Sequence, residues 1–572
     1  MSNENIKYYT ADVLVIGGGP AGAWAAWSAA QTGAKVILVD KGYLGSSGAT
    51  APGGTNLLYL PPDQVLRDTA VDLRMNSGGF LSEPDWIYRV LDQVYINLDR
   101  IEQWGYPFVR DEKGDAQRNH LHGPEYMALM RKQVKKAGVT VLDHAPALEL
   151  LVDEHGVGGA RGVLRQQNKE WEIKAGAVVI ATGGCAFLSK GLGCNVLTGD
   201  GYLMGAEVGA ELSGMEFSRQ YAPSAAYSSP TRGRLLGWAT YYDEDGNELG
   251  GDRGGDFLAK RLLNGGSVYA MMNKADTPEK QAILRSAHSI FFLPYDRAGI
   301  NVFTDMFPLT LRYEGTVRGT GGLRIVTDDC GTTVPGLYAA GDAATRERIT
   351  GAASGGGAFN ASWAICSGTW SGEGAANYAK KAASTFGGRT LQRAGKYGLK
   401  AESTTQAVQN EAEPIISKRE PTDSKGTATA SNVAESDVVI KELVKAIQNE
   451  ILPLEKNYFR SETGVQESLD ILHELWPKVQ QQKVESIHDV VHAREAAAMA
   501  ATARWIYTAA LARKETRGKG LHTFAEYPEQ DPNQHHRIIV SGLEKIQVSY
   551  DTSFIDKVEK YQELHKKEVQ TK

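Results

Sequence analysis

Cysteine is scarce: Cys185, Cys194, Cys330 and Cys366 are the only four in 572 residues. Their spacing contains no C-x-x-C pair and no iron–sulfur run, and the fold of a disulfide-stapled secreted protein is excluded with them. Cys185 and Cys194 lack a second half-site for zinc, so buried free thiols are expected and no metal site is. Positive charge is also short. Lys and Arg total 62 against 68 Asp and Glu, a formal net charge of −6, which leaves no electrostatic footprint for nucleic acid or an anionic membrane. No apolar run reaches the ~18–20 residues that span a bilayer, and the start, MSNENIKYYT, has no basic and apolar leader. A soluble, cytoplasmic protein is expected, with small molecules or proteins as partners and an oligomer compatible with the sequence.

The chain does have length, apolar content and glycine. At 572 residues with 42% hydrophobic side chains, it suits roughly two to four domains around sizeable cores. From Ala11 the order is apolar strand (DVLVI), glycine turn, Ala-rich helix (AGAWAAWSAAQTG) and strand (AKVILVD), a βαβ unit. Further strands are expected at VTVLD, ALELLVD and AVVIATG. Residues 206–317 mix short strands, charged loops and helices, after which α/β character returns in LRIVTDD and VPGLYAAGDA. The expected fold is therefore α/β: a Rossmann-like nucleotide-binding domain (1–205 and 318–392) interrupted by an α+β capping domain (206–317). A Ser/Thr/Glu/Lys-rich surface linker is expected at 393–436, then a helical domain at 437–545 and a tail at 546–572.

GGGPAG, Gly17 to Gly22, is G-x-G-x-x-G between a strand and a helix. Gly17 permits the turn, Gly19 lets backbone approach a pyrophosphate, and Gly22 brings helix and strand together, with Pro20 and Ala21 opening the helix whose N–H groups meet phosphate. Asp40 ends the second strand, where its carboxylate can accept ribose hydroxyls, and Lys41 follows it. The next segment, KGYLGSSGATAPGGTN, is almost free of large side chains. NAD and FAD both use such a turn. Two later strand ends favour flavin: AVVIATGG, with Ala181, Thr182 and Gly183, and GLYAAGDA, where Asp342 after Gly341 can accept from a ribityl chain.

At these residues the chain resembles the flavoproteins of succinate dehydrogenase, fumarate reductase, L-aspartate oxidase and the adenylylsulfate reductase α subunit. The likeness runs through TGDGYLMGAEVGAEL with Asp200, MEF at 215–217, Gly321-Gly322, GLYAAGD, the Ala358, Asn360, Ala361 cluster and ARKETRG at 512–518. It implies an FAD-dependent oxidoreductase that moves two electrons between a small polar or anionic substrate and flavin N5, coupled to a separate small iron–sulfur, ferredoxin-like protein. It also implies that Ser46, Ser47, Thr50, Gly53 and Gly54 line FAD, in a segment that wraps the pyrophosphate and passes over the isoalloxazine. Two alternatives stay open: sulfur chemistry at N5 as in adenylylsulfate reductase, and a flavin protein that only relays electrons.

The chain departs from that family at informative places. The membrane-bound members carry flavin covalently on a His in this small-residue segment, and here Ser47 or Gly48 stands there, so noncovalent FAD is expected. The clamp on a C4 dicarboxylate uses two His and an Arg, and near those positions this chain has Tyr221, Val317 and Ser354. Succinate and fumarate are therefore not the expected substrates. TRGR at 231–234, which contains Arg232, and DFLAKR at 256–261 resemble the arginine segments of the family. Arg261 is the first candidate for its proton-transferring Arg and Arg253 the second, with Arg318 as an anion binder at the flavin edge and Arg346 and Arg348 as further cations. Arg517 and His522 are secondary candidates. His120 and His122, an i, i+2 pair, read as structural, and Trp238, Tyr241 and Tyr242 as core.

Overall fold

A mostly parallel sheet of eight strands forms the centre of the protein. The computed structural model describes residues 5–570 except 111–113, 232–234, 251–254, 387, 400–429, 483, 485 and 519. Strand Ile6–Ile16 lies between Val36–Val39 and Lys169–Ile180, parallel to both, and Thr140–Leu142 extends one side. Leu337–Ala339, more than 150 residues later, pairs in parallel with Lys169–Ile180. Gly156–Leu164 and Ala147–Asp153 extend the other side as an antiparallel meander, and Gln392–Arg393 is the eighth strand. The run Val13–Ile16 is buried throughout, as a strand covered on both faces must be.

One face is covered by Pro20–Gln31 and the 31-residue helix Gly356–Phe386. Their contact explains the small residues in both. A Cβ on Gly368 would lie 2.4 Å from the Ala21 carbonyl oxygen, and one on Gly372 would lie 2.2 Å from that of Ala25. Only glycine on one helix and alanine on the other allow the backbones to meet this closely.

A separate four-stranded antiparallel sheet, ordered Tyr221–Ala225, Phe307–Tyr313, Tyr269–Met271, Thr240–Tyr242, has its own core of Phe291, Phe292, Tyr295, Phe303 and Phe307. Trp238 is largely outside that core, 37% exposed. Three long helices, Ala430–Ile451, Glu462–Gln480 and Ile487–Ala512, follow. Ile487–Ala512 opens with a Ser486/Asp489 capping box and is buried nearly all round, its alanines packing against Asp200–Glu207.

Three stretches differ from the sequence expectation. Most of the linker at 393–436 lies outside the described residues, but Gln392–Arg393 pairs with Ala147–Asp153, and Tyr397 is buried against Trp476. A few apolar and paired residues suffice to dock a segment whose composition reads as polar. The expected boundary at 545 falls inside a hairpin, since Arg537–Ser541 pairs with Gln547–Asp551, and Ile555–Gln570 is helical. Leu212–Ser213, just past the expected boundary at 205, pairs with Arg537–Ser541 and Gly322–Leu323 instead of joining the antiparallel sheet of the capping span.

Candidate functional site

The strand end Ile16 and the helix Pro20–Gln31 meet at a turn whose glycines face different neighbours. Gly17 has φ +112°, and a Cβ there would lie 2.3 Å from the Ala181 carbonyl oxygen. Gly22 would put a Cβ 1.8 Å from the Gly17 carbonyl oxygen. Both positions are closed to side chains by the protein itself. At Gly19 the nearest atom is Gly48 Cα at 3.5 Å, and beyond it opens a cavity of about 630 Å³. Gly19 is also the N-cap of Pro20–Gln31 and makes no side-chain cap, so the first N–H groups and the positive helix end are available to an anion.

Asp40 sits against the turn and lines the cavity beside it. Its carboxylate accepts from Gly18 N at 2.5 Å, Gly42 N at 2.7 Å and Ser47 Oγ at 2.6 Å. Ser47 thus fixes the carboxylate and lines the cavity at once. Beside it Lys41 donates to Asp200 and Glu495, both at 2.8 Å. Burial opposes the Lys41 charge, but the two carboxylates outweigh it and hold its pKa above the usual lysine value; Lys41 and His492 together hold Glu495 down at about 2 despite its burial.

At the far end the cavity is walled by Ser46, Thr50, Gly54 and Thr55 on one side and by Ala181, Thr182 and Gly183 on another. Arg318, Gly341, Asp342, Asn360 and Ala361 close it. Gly341 has φ +63° and would press a Cβ to 2.7 Å from Ala21 Cβ, so this loop too is confined to glycine. Asp342 takes a hydrogen bond from Arg346. Burial raises the Asp342 pKa against the opposing pull of Arg346 and Arg318.

The structure leaves several sequence candidates outside the cavity. Gly22 packs against Gly17, Gly53 donates to the Thr50 carbonyl at 3.2 Å as part of the turn, and Ala358 lies a turn before the lining residues of its helix. Arg261, on helix Gly255–Leu263, donates to the Ser267 carbonyl at 2.9 Å and to Glu244 at 3.2 Å near the surface of the antiparallel unit, away from the cavity. A surface carboxylate and a loop carbonyl satisfy that guanidinium. Arg232 and Arg253 lie outside the described residues. Arg346 is buried as a clamp on the carbonyls of Thr316, Val317 and Gly319, while Arg348 stands over Trp86 and 3.7 Å from Glu83. Arg517 and His522 are buried as well, in bonds to Glu515, the Gly79 carbonyl, Arg460 and the Arg513 carbonyl.

Among the described residues, Arg318 is the sequence-predicted arginine that reaches the cavity. Among the described residues the one partner of its guanidinium is Glu314, at 4.0 Å. Burial disfavours its charge, and Glu314, Cys194 and Asp342 together reverse this and raise its pKa above the ordinary arginine value. Tyr221 and Ser354, at positions where the resemblance would have needed His and Arg, are committed elsewhere: the Tyr221 hydroxyl donates to the Leu452 carbonyl at 2.9 Å and the Ser354 hydroxyl to the Arg318 carbonyl at 2.9 Å.

Sequence reasoning missed the contribution of the last long helix, His492 and Glu495, and of Arg165 at the mouth. The i, i+3 spacing of His492 and Glu495 was the available signal. It also missed Leu188, which lines the cavity with φ +52° next to Phe187 with φ +55°. Two adjacent bulky residues in the left-handed region mark local strain of the kind found beside ligands.

The lining residues fit FAD. They supply a phosphate cradle, a ribose carboxylate and a small-residue slot, the parts that a dinucleotide needs. Two buried polar atoms on the wall, Thr182 Oγ1 and Asn360 Oδ1, have no partner among the described residues, which for buried groups points to a ligand or water. The four cysteines are buried thiols outside any disulfide. Among the described residues no His, Cys, Asp and Glu group is arranged for a metal, and no helix is long and apolar enough to cross a membrane.

Comparison with known proteins agrees with this geometry. A family pattern described as an FAD binding domain matches residues 12–236, and one described as the fumarate reductase flavoprotein C-terminus matches 445–571. An uncharacterised FAD-dependent oxidoreductase of Methanocaldococcus jannaschii is 24% identical, the match covering 95% of this chain and 99% of that protein. A fumarate reductase (CoM/CoB) chain from Methanothermobacter marburgensis is 28% identical over 40% of this chain and 45% of its own length, so that match spans less than half of the relative. The fold is similar to E. coli quinol fumarate reductase, with TM-score 0.73, 19% identity and coverage of 95% and 97%. It is also similar to adenylylsulfate reductase from Archaeoglobus fulgidus, with TM-score 0.69, 17% identity and coverage of 95% and 96%.

Proposed function

Because the chain belongs to the FAD-dependent oxidoreductase family of fumarate reductase and succinate dehydrogenase flavoproteins, we propose that it exchanges two electrons between a small anionic substrate and noncovalently held FAD. The observation that carries this reading is Arg318, a half-buried cation on the cavity wall whose one partner among the described residues is a carboxylate 4.0 Å away. A guanidinium in that setting binds a carboxylate or other oxyanion in two parallel bonds. The bound FAD supplies the two-electron chemistry. The chain's own part is to hold the phosphates at Gly19 and the helix start, to hold ribose at Asp40, and to keep substrate charge beside Arg318.

A C4 dicarboxylate is disfavoured as substrate, since Tyr221 and Ser354 spend their hydroxyls on carbonyls and Val317 offers no polar group. In this reading the chain, whose sequence has no iron–sulfur ligand run, exchanges electrons with a separate small iron–sulfur protein, with oxygen or a quinone as the alternative. Two measurements test the reading. Acid precipitation of the yellow protein is expected to leave all FAD in the supernatant, and flavin in the pellet would contradict noncovalent binding. Fumarate reduction is expected to stay below a kcat/KM of about 10⁴ M⁻¹s⁻¹, the low end for ordinary enzymes; a higher value would overturn the exclusion of C4 dicarboxylates.

A further inference from the structure

Arg318 lines the cavity from the end of the short helix Gly315–Arg318, and the residue before that helix is an acid, Glu314. Glu314 follows directly on strand Phe307–Tyr313, so it stands where the chain leaves the antiparallel unit for the cavity wall. Backbone fixes its place. Glu314 N donates to the Gln220 carbonyl at 2.8 Å, and the next residue, Gly315, has φ +52° and would put a Cβ 2.2 Å from the Cys185 carbonyl oxygen. That turn is closed to any residue but glycine.

Glu314 is the N-cap of the helix, yet its side chain makes no capping hydrogen bond. A carboxylate in that place ordinarily accepts from first-turn N–H groups. Here the buried Oε1 accepts instead from the Thr231 hydroxyl at 2.7 Å and lies 4.0 Å from Arg318 Nε. The first contact is a full hydrogen bond, and the second is an ion pair beyond hydrogen-bond reach. One oxygen serves both, so the bond to Thr231 holds it off the guanidinium. Thr231 belongs to the segment after strand Tyr221–Ala225, and two residues earlier the Ser229 carbonyl accepts from Leu192 N at 2.9 Å, beside the lining residue Gly193. The segment is therefore tied to the cavity wall on both sides of Glu314's partner.

The other carboxylate near Arg318 is differently placed. Asp342 accepts from the buried Arg346, a cation of its own, whereas among the described residues Arg318 is the cation within ion-pair distance of Glu314. An oxyanion held by Arg318 thus binds beside a negative charge that belongs to the site. That charge repels the ligand in proportion to the ligand's own charge, and burial keeps salt from screening it. The attraction of one guanidinium suffices for a single negative charge, and a second doubles the repulsion from Glu314.

We infer that Glu314 is a charge filter on the substrate site: held off Arg318 by Thr231, its carboxylate selects a singly charged group, such as a carboxylate, over dianionic groups such as sulfate or a phosphate monoester. This rests on the anionic-substrate reading above and narrows its substrate class. Glu314 acts through the field at the site and through Arg318, so it is a specificity residue and not a catalytic one.

The test uses the oxidised FAD holoenzyme and two probes of similar size, methanesulfonate with a single charge and sulfate with a double one, titrated at constant ionic strength and followed by flavin absorbance. Coulomb energy is linear in ligand charge, so Glu314→Gln is expected to tighten methanesulfonate about threefold and sulfate by about the square of that factor, at unchanged FAD content. The flavin midpoint potential of this variant is expected to rise, opposite in sign to the fall in Arg318→Ala, which a merely structural role would not produce. An equal change in the two dissociation constants, or a potential that does not rise, would overturn the filter; loss of both anions in Arg318→Ala would still leave the anionic-substrate reading standing. No response of wild type or Glu314→Gln to either probe would overturn both. Should Glu314→Gln fail to hold FAD, Thr231→Val decides: with its hydroxyl gone, Glu314 closes on Arg318, and sulfate is expected to weaken severalfold and more than methanesulfonate. Unchanged constants in Thr231→Val would overturn the filter.

Discussion

At Gly22 a Cβ would lie 1.8 Å from a backbone oxygen, while at Gly19 the nearest atom is 3.5 Å off and the space beyond is the cavity. The two substitutions should therefore fail in different ways. Gly22→Val is expected to prevent folding, because neither the strand end nor the helix can give by that much. Gly19→Val should fold and lose FAD, since its branched side chain fills the pyrophosphate position. The ratio of flavin absorbance to protein, read beside the circular dichroism of each variant, checks this. Normal FAD occupancy in Gly19→Val would contradict the assignment of that glycine. These roles were half legible in the sequence: G-x-G-x-x-G named the residues, but a pattern cannot tell a glycine that abuts backbone from one that fronts a ligand.

Where strand Leu212–Ser213 and the loop after it meet helix Glu347–Thr350, two carboxylates are buried side by side. Glu216 accepts from Arg513 Nε at 2.8 Å, and Glu347 accepts from the Ser213 hydroxyl, while Glu216 Oε2 and Glu347 Oε1 have no partner among the described residues. Burial first, and then the Glu216 charge, push the Glu347 pKa from 4.5 up to about 7 against the pull of Arg537 and Arg513. A raised pKa means that the folded protein keeps a proton that the unfolded chain has lost. This contribution to stability is fully present below pH 4.5 and is lost as pH rises to 7, a difference of about 3 kcal/mol at 1.36 kcal/mol per pH unit. Glu347→Gln is neutral at every pH. Its melting temperature relative to wild type is expected to rise between pH 5 and pH 8, and a pH-independent difference would contradict a proton held on Glu347 in the folded protein. Neither residue stood out in the sequence, where Glu216 was the middle of MEF and Glu347 one charge in RER.

The cavity is assembled from the first βαβ unit, the strand ends at Ala181 and Gly341, Arg318, and the last long helix through Lys41 and Glu495. FAD bound there ties distant parts of the chain together, so the melting temperature should climb with added FAD, by about 4 kcal/mol of stabilisation at a thousandfold excess over Kd. A melting temperature indifferent to FAD would contradict a cavity shared by these parts. The α/β fold and the flavin elements were legible because strand, glycine turn and helix are local patterns. The Lys41–Glu495 pair and the meeting of His288 with His120 were not, since they join residues far apart along the chain. Arg261 was misjudged because a local match fixes a helix and not the direction in which its arginine reaches. The central claim is that Arg318 is the cation at the redox end of the cavity. A fixed positive charge there favours the more negative, reduced flavin, and at an effective dielectric constant near 20 a unit charge a few ångströms away contributes a few kcal/mol. The direct measurement is a redox titration of wild type and Arg318→Ala at equal FAD content. A fall in the flavin midpoint potential of about 30 mV or more, equivalent to ~1.4 kcal/mol for two electrons, is predicted for the variant, and an unchanged potential would contradict the account.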